Sequence, residues 1–254
     1  MNRYLSLAPL LCAAVLSACE KNAVQELTEA APVSRIRFFN FGVNAPGVNF
    51  YANDTKMTAI TSGTGVESTT GTIYGGVGAG GFYSGITPGD YTVRGRIAAA
   101  TDKDLAISNV PVSISDGKFY SFYQSGFYNT TTKTVDGFVV EDPVPALDLT
   151  VAYVRFVNAI SNSSPMAMSA KNSAGVVTPI GGAVAYKAAG AFTAVPNGVY
   201  DLTTRVTGAA TDAISRTAVS LSAGRVYTIS ARGDMTVTST TATNRPFLDN
   251  TTNR

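Results

Sequence analysis

The chain has 254 residues, of which 31 are Thr, 21 are Ser and 24 are Gly, whereas only 14% are charged. This composition favours strands and turns, and a hydrophobic share of 45% is enough for a packed core. His is absent and the formal net charge is only +2, which excludes most zinc sites, histidine-dependent hydrolases and basic nucleic-acid-binding surfaces. We therefore expect a globular all-β protein with no cofactor and no nucleic-acid partner.

The N-terminus has the features of a bacterial lipoprotein signal. Arg3 precedes an apolar run at residues 5–16, which is shorter than the roughly 20 residues that span a bilayer. The run ends in Leu16-Ser17-Ala18-Cys19, which resembles a lipobox. We predict that residues 1–18 are the signal peptide and that a lipid on Cys19 binds the membrane; an ordinary secretory signal cut nearby is the alternative. Residues 19–33 are then a polar tether.

An internal repeat organises the rest of the chain. The segment Arg-Ile-Arg-Phe-Phe-Asn at 35–40 recurs as Tyr-Val-Arg-Phe-Val-Asn at 153–158. Further matches follow in the same order at stepwise smaller offsets: 73–74 with 185–186, 89–93 with 198–202 and 117–120 with 224–227. Finally, 138–139 matches 247–248, so both copies end in the same way. Steps in the offset indicate deletions in loops between two copies of one domain.

Each matched segment alternates in the manner of a half-buried strand. We therefore predict two tandem immunoglobulin-like β-sandwich domains, at 34–142 and 150–254, joined by a Pro-rich linker at 143–149. The segment from Val110 to Phe122, with Asp116-Gly117 at its centre, is predicted to be a β-hairpin, as is its counterpart in the second copy. Tyr91 and Tyr200 are predicted to brace a corner of each sandwich.

The repeated segments resemble a known family. The order is Arg-Phe-Phe/Val-Asn, a Pro-containing turn, Tyr-Gly or Tyr-Lys, then Pro-Gly-Asp-Tyr-Thr-Val or Asn-Gly-Val-Tyr-Asp-Leu, and Gly-Lys/Arg-x-Tyr. This order is similar to that of the domain of unknown function 4397 family. The similarity occurs twice, once in each copy, and together the two matches cover nearly all of residues 34–250. The resemblance implies secreted or lipid-anchored envelope proteins with immunoglobulin-like sandwiches and without catalytic residues.

Three short motifs fit functional patterns only formally. Residues 76–81 fit G-x-G-x-x-G, but no helix is predicted after them to receive a pyrophosphate. Residues 115–118 fit S-x-x-K, but their counterparts at 222–225 end in Arg, which cannot act as a base. Asp102 and Asp104 could help to bind calcium, although further oxygen ligands at alternate positions are absent. We predict no catalytic residues and no metal site.

Six aromatic residues between 119 and 128 supply the best candidate binding surface. Tyr120 and Phe122 have hydrophobic counterparts in the second copy and are predicted to be core, whereas the counterpart of Tyr123 is a serine. We predict that Tyr123, Phe127 and Tyr128 point outward and bind a ligand, because exposed rings stack on sugars or fill partner pockets. The alternative is that these rings pack against the Gly-rich stretch of the first copy.

Two functional hypotheses follow. The first is a non-enzymatic, lipid-anchored structural or interaction module of the cell envelope, with envelope proteins as partners. Glu20, rather than Asp, follows Cys19 and favours the outer membrane. The alternative is a glycan-binding lipoprotein of a polysaccharide-uptake system.

Overall fold

The computed structural model describes residues 34–254, so the predicted signal peptide, Cys19 and the tether lie outside the described residues. The strands of the first copy are β1 (Arg35–Val43), β2 (Val48–Ala52), β3 (Thr55–Lys56), β4 (Gly76–Val77), β5 (Ser84–Gly85), β6 (Gly89–Ile97), β7 (Ala106–Ile114), β8 (Phe119–Asn129) and β9 (Thr134–Glu141). Those of the second copy are β10 (Val151–Asn158), β11 (Met166–Asn172), β12 (Val177–Val184), β13 (Ala188–Ala189), β14 (Thr193–Pro196), β15 (Gly198–Val206), β16 (Ile214–Leu221), β17 (Val226–Arg232) and β18 (Phe247–Thr252).

Each copy contains two sheets. In the first copy the strand orders are β4-β1-β8-β9, with β5 also on β1, and β3-β2-β6-β7. In the second copy they are β13-β10-β17-β18, with β14 also on β10, and β12-β11-β15-β16. We call the sheets that contain β1 and β10 the inner sheets and the other two the outer sheets. Strands β1 and β8 pair in parallel, as do β10 and β17.

The predicted all-β fold with sandwich-like pairs of sheets is confirmed. Apart from a 3-10 turn at Gly78–Gly81, the described residues form strands, turns and irregular segments. Within the same residues, no helix is long and apolar enough to cross a membrane.

Alternate residues of the matched strands form the two cores. Ile36 and Phe38 lie in the core of the first sandwich, and Val154 and Phe156 occupy the same places in the second. All four side chains are at most 1% exposed. Full burial of one such side chain stabilises a fold by about 1.5–3 kcal/mol, and the β-branched and aromatic residues of these segments favour strands.

The predicted hairpins are wrong. Strand β7 pairs with β6, whereas β8 pairs with β1 and β9, so the turn at residues 115–118 connects two sheets. The same holds for β16 and β17 in the second copy. A connection between facing sheets buries alternate residues in one core just as a hairpin does, so the pattern is the same. Gly117 takes the positive φ of 68° that the turn requires, and the Tyr120 hydroxyl accepts the Ser115 N–H at 3.1 Å.

Tyr91 and Tyr200 brace their sandwiches as predicted. The hydroxyl of Tyr91 donates to the carbonyl oxygen of Thr87 at 3.0 Å. The hydroxyl of Tyr200 donates to the carbonyl oxygen of Pro196 at 2.8 Å, and this residue also lies four positions earlier. Each bond ties a strand of an outer sheet to the segment that leads into it.

The two copies lie side by side in the same direction. Near the start of β1, Arg37 contacts Thr252 at the end of β18, and at the opposite end Ser125 of β8 contacts Tyr186 of the second copy. One end of the pair, the entry end, therefore carries Ser34 and the turns at 115–118 and 222–225. The other, the far end, carries the loops 44–47, 98–105, 130–133, 159–165, 207–213 and 233–246.

Candidate functional site

The two inner sheets pack against each other through a third hydrophobic cluster. Its members are Phe39, Phe41, Tyr123 and Phe138 from the first copy and Val157 and Ala159 from the second, with Val77, Val140, Tyr186 and Ala189 against them. All six central residues are at most 5% exposed. The inner sheets are therefore covered on both faces, and the described residues form one compact unit.

Tyr123 lies at the centre of this interface, and the prediction that it faces solvent is wrong. Its ring is 0% exposed and stacks on Phe39 and Phe138, with centroids 4.5 and 5.1 Å away. Its hydroxyl is 3.1 Å from the Ser230 hydroxyl, the counterpart of Tyr123 in the second copy. As the repeat indicates, the side chain points away from the core of its own sandwich. The second copy covers that face of the inner sheet, so the ring is buried.

Phe127 and Tyr128 do not form a platform with Tyr123. Phe127 is 46% exposed near the far end, whereas Tyr128 is half-buried and packs against the core of the first sandwich. Adjacent residues of a strand point to opposite faces, so these two rings cannot lie on one flat surface. The predicted binding surface is therefore reduced to the single exposed ring of Phe127.

A buried polar network joins the copies at the entry end. Arg37 and its counterpart Arg155 are 0% and 1% exposed. Arg37 donates from Nε to Ser121 Oγ at 3.1 Å, and Arg155 donates from Nε to Thr228 Oγ1 at 3.0 Å. Since residues 121 and 228 are also counterparts, the two arginines occupy equivalent positions.

Each arginine also reaches into the other copy. Arg37 Nη1 donates to the carbonyl oxygen of Thr252 at 3.0 Å, and Arg155 Nη1 donates to that of Glu141 at 2.9 Å. Thr252 and Glu141 are the residues that pair with the matched tyrosines Tyr227 and Tyr120. The interface therefore has pseudo-two-fold symmetry, in which both copies use the same surface.

The symmetry breaks at one carboxylate. Asp142, 2% exposed, accepts hydrogen bonds from Arg155 Nη2, from the Ser121 hydroxyl at 2.7 Å and from the Tyr83 hydroxyl at 2.6 Å. The residue after Thr252 in the second copy is Asn253, which carries no charge. Arg37 Nη2 consequently has no hydrogen-bond partner among the described residues. The network thus holds two guanidinium groups and one carboxylate, a net charge of +1.

Tyr74 and its counterpart Tyr186 form a second reciprocal pair near the far end. The guanidinium of Arg232 lies 5.0 Å from the ring centroid of Tyr74, in the other copy. Tyr186 contacts Ser125 of the first copy, with 2.9 Å between their hydroxyl oxygens. Burial raises the pKa of Tyr186 to about 12.

At the entry end, burial likewise raises the pKa of Tyr83, and the nearby Asp142 carboxylate raises it further.

Two sequence signals could have revealed the interface. Phe38-Phe39-Asn40-Phe41 does not alternate, and near-continuous apolar runs are typical of strands buried on both faces. In the structure every residue of β1 after Arg35 is buried. The repetition of Arg37 as Arg155 at an outward position is a second signal, because an exposed arginine needs no counterpart.

A cleft opens where the first copy meets the edge of β18 at the entry end. Its volume is about 670 Å³. It is lined by Val77, Gly80, Gly81, Phe82 and Tyr83 of the first copy and by Arg225, Tyr227, Asn250, Thr251, Thr252, Asn253 and Arg254 of the second. We call it the inter-copy cleft. None of its lining side chains is acidic, and two are arginines.

The Gly-rich segment at residues 76–81 forms one wall of this cleft. It contains β4 and the 3-10 turn, and irregular backbone and β5 follow it. Three successive residues, Ala79, Gly80 and Gly81, have positive φ of 50°, 66° and 86°. The segment is therefore a tight strand connection, and among the described residues no helix follows it to receive a pyrophosphate, as predicted from the sequence.

In the S-x-x-K match and the candidate calcium site, charged side chains form ion pairs within the protein. Lys118, at the end of the S-x-x-K match, forms an ion pair with Glu141 at 2.8 Å. Asp102 forms an ion pair with Lys133 at 2.6 Å, which engages the carboxylate of the candidate calcium site. Across residues 34–254, no group of three or more His, Cys, Asp or Glu residues is arranged to hold a metal ion.

Comparison with known proteins gives no assignment. No family model matches the chain, and no curated protein matches it. The resemblance to the domain of unknown function 4397 family therefore stays a prediction from the sequence.

Proposed function

We propose that this chain is a non-enzymatic, lipid-anchored cell-envelope protein whose two sandwiches act as one stiff interaction module. The inter-copy interface is the observation that carries the proposal. Domains joined only by a linker move relative to each other by default. Here the aromatic cluster around Tyr123 and the network around Asp142 hold the two copies in one arrangement.

The position of Ser34 supports an orientation for the module. The Ser34 hydroxyl donates to the Ser115 carbonyl oxygen at 3.0 Å and accepts the Gly117 N–H at 3.1 Å, so the chain enters at the entry end. Ser34 follows Cys19 by 15 residues, a reach of about 50 Å if fully extended. A lipid on Cys19 would therefore hold the entry end towards the membrane and turn the far-end loops outward, where loops commonly carry binding functions.

Two observations support a role without catalysis. The chain has no His in its 254 residues. Two carboxylates at the interface are engaged in ion pairs: the buried Asp142 with Arg155, and the partly buried Asp249 with Arg232 at 2.5 Å. The resemblance to an envelope family without catalytic residues points the same way.

Fractionation of cells tests the anchor. We expect Cys19→Ser to move the protein from the membrane to the soluble fraction, because the acylated thiol is lost, while Cys12→Ser should leave it in the membrane. If the Cys19→Ser protein stays with the membrane as completely as the wild type, the anchor is wrong.

Energy transfer tests the orientation. A fluorophore on Asp116→Cys at the entry end should transfer energy to a dye in the bilayer more efficiently than one on Thr131→Cys at the far end. Both positions are exposed, and the mature chain offers no other free thiol when Cys19 is acylated. Equal transfer from both positions would show that the module does not stand on its entry end.

A further inference from the structure

We infer that the inter-copy cleft binds an acidic saccharide, with a sugar ring stacked on Phe82 and carboxylate groups paired with Arg225 and Arg254. The inference rests on the proposed function, because it names the class of ligand that an envelope interaction module would hold. A cleft of about 670 Å³ lies within the usual range for small-ligand sites.

Phe82 supplies the apolar platform. It is 77% exposed, more than any other large hydrophobic side chain among residues 34–254. Its backbone N–H donates to the Ala79 carbonyl oxygen at 3.3 Å, which closes the turn of positive-φ residues before it. Tyr83 lies against Arg37, and Phe192 lies against the counterpart Arg155, so Tyr83 and Phe192 occupy equivalent positions. The residue before Phe192 is Ala191, so the second copy has alanine where the first has Phe82. The ring is therefore specific to this side of the interface.

The charge of the cleft favours an anion. Arg225 is exposed, and its guanidinium has no hydrogen-bond or ion-pair partner within the described part of the chain. Within the described residues, the guanidinium of Arg254 donates only to the carbonyl oxygen of Pro145, at 2.8 Å. Arg37 lies behind Tyr83 and Thr252 in the wall and adds the uncompensated buried charge. Arginine pairs with carboxylates through two parallel N–H bonds, which fixes both charge and orientation.

Three acidic side chains at or beside the interface between the copies already have basic partners. Asp142 pairs with Arg155, Asp249 with Arg232 and Glu141 with Lys118. They therefore do not neutralise Arg225.

The edge of β18 does not favour an added peptide strand. Two of its outward carbonyl oxygens are occupied: Arg216 Nη1 donates to that of Leu248 at 2.6 Å, and Arg37 Nη1 donates to that of Thr252. Strand addition needs a row of free backbone groups. We therefore expect the cleft to recognise its ligand through side chains. Asn250 and Thr251 contribute amide and hydroxyl groups to the lining of the cleft. Such groups suit the hydroxyls of a sugar.

Calorimetric titration of the chain from residue 20 onward with tetragalacturonate tests the inference. We expect saturable binding that weakens at least tenfold in Phe82→Ala and in Arg225→Gln. The fully methyl-esterified tetrasaccharide, which keeps the rings and loses the charges, should bind at least tenfold more weakly than the acid. Added salt should weaken binding of the acid, because its charge pairs are screened.

Two matched variants serve as controls. Phe127→Ala removes another exposed ring, and Arg205→Gln removes another surface arginine, which lies on an outer sheet and pairs with Asp212. Both should bind tetragalacturonate as the wild type does. Circular dichroism should show that all four variants are folded.

Three results would overturn the inference: no binding of tetragalacturonate, equal binding of the ester, or binding that Phe82→Ala leaves unchanged. A tetraglutamate peptide that binds as tightly as the saccharide, with no effect of Phe82→Ala, would identify an acidic-peptide site instead. The anchor is measured separately by fractionation, so failure of the cleft and failure of the proposed function are distinguishable.

Discussion

Arg37 donates a hydrogen bond to the carbonyl oxygen of Thr252, 215 residues further along the chain. Arg155 makes the equivalent bond to Glu141, so each copy's arginine caps the last strand of the other copy. Reciprocal exchange of this kind is characteristic of isologous interfaces between identical subunits. The two repeats are thus arranged as a dimer within one chain.

Asp142→Asn should destabilise the protein by about 3–5 kcal/mol, because it leaves two buried guanidinium groups without a carboxylate. Chemical denaturation measures the free energy of unfolding. Asp212→Asn is the control: it removes the carboxylate of an exposed pair with Arg205 at 2.8 Å and should cost about 1 kcal/mol or less. Equal costs for the two variants would mean that water reaches the network.

Tyr123→Ala should cost about 3–5 kcal/mol, because it removes a fully buried ring from the interface. Tyr123→Phe keeps the ring and loses the hydrogen bond to Ser230, so it should cost about 1 kcal/mol. Phe127→Ala, at a half-exposed ring, should cost about 1 kcal/mol or less. Thermal and chemical denaturation give all three values. A Tyr123→Ala protein no less stable than Phe127→Ala would show that the inner sheets separate in solution.

The two halves, divided near Pro143, should bind each other when expressed separately. Each half keeps its own sandwich core but exposes the face of its inner sheet. A mixed pair places Tyr123 against Ser230 and Asp142 against Arg155. Pairs of like halves would oppose two tyrosines or leave two arginines without a carboxylate, so we expect a one-to-one complex to predominate.

Size-exclusion chromatography with light scattering, followed by native mass spectrometry, identifies the species in the mixture. Introducing Tyr123→Ala into the first half should weaken the complex. Halves that stay monomeric after mixing would contradict the prediction.

Alkaline pH should destabilise the interface. The pKa of Tyr186 in the folded chain is about 12, above the ordinary value of 10.0, so the folded state holds this proton more tightly than the unfolded state does. Its contribution to stability is fully present below pH 10 and is lost as the pH rises towards 12. Burial raises the pKa of Tyr123 in the same direction.

Denaturation curves from neutral pH to about 12 should therefore show a falling free energy of unfolding, and tyrosinate absorbance should report the ionisation. Tyr186→Phe should make the decline less steep. A decline that begins below pH 10, or one that Tyr186→Phe leaves unchanged, would assign the effect to other groups.

The sequence by itself determined the strands, the two copies and their separate cores. Alternation placed Ile36, Phe38, Val154 and Phe156 correctly, because the two-residue period of a strand states which side chains share a face. The matched segments also located the bracing tyrosines. These features depend on local geometry, which the order of residues specifies directly.

Only the tertiary structure decided which strands pair and what covers each face. Alternation cannot separate a hairpin from a connection between facing sheets, and β7 and β8 proved to be the latter. Alternation also does not show whether a side chain that points away from its own core is exposed to water or covered by protein. Tyr123, Arg37 and Asp142 are buried because the second copy lies against the first. That contact joins residues far apart in the chain, and its energy depends on the complementarity of two assembled surfaces, which no single strand contains.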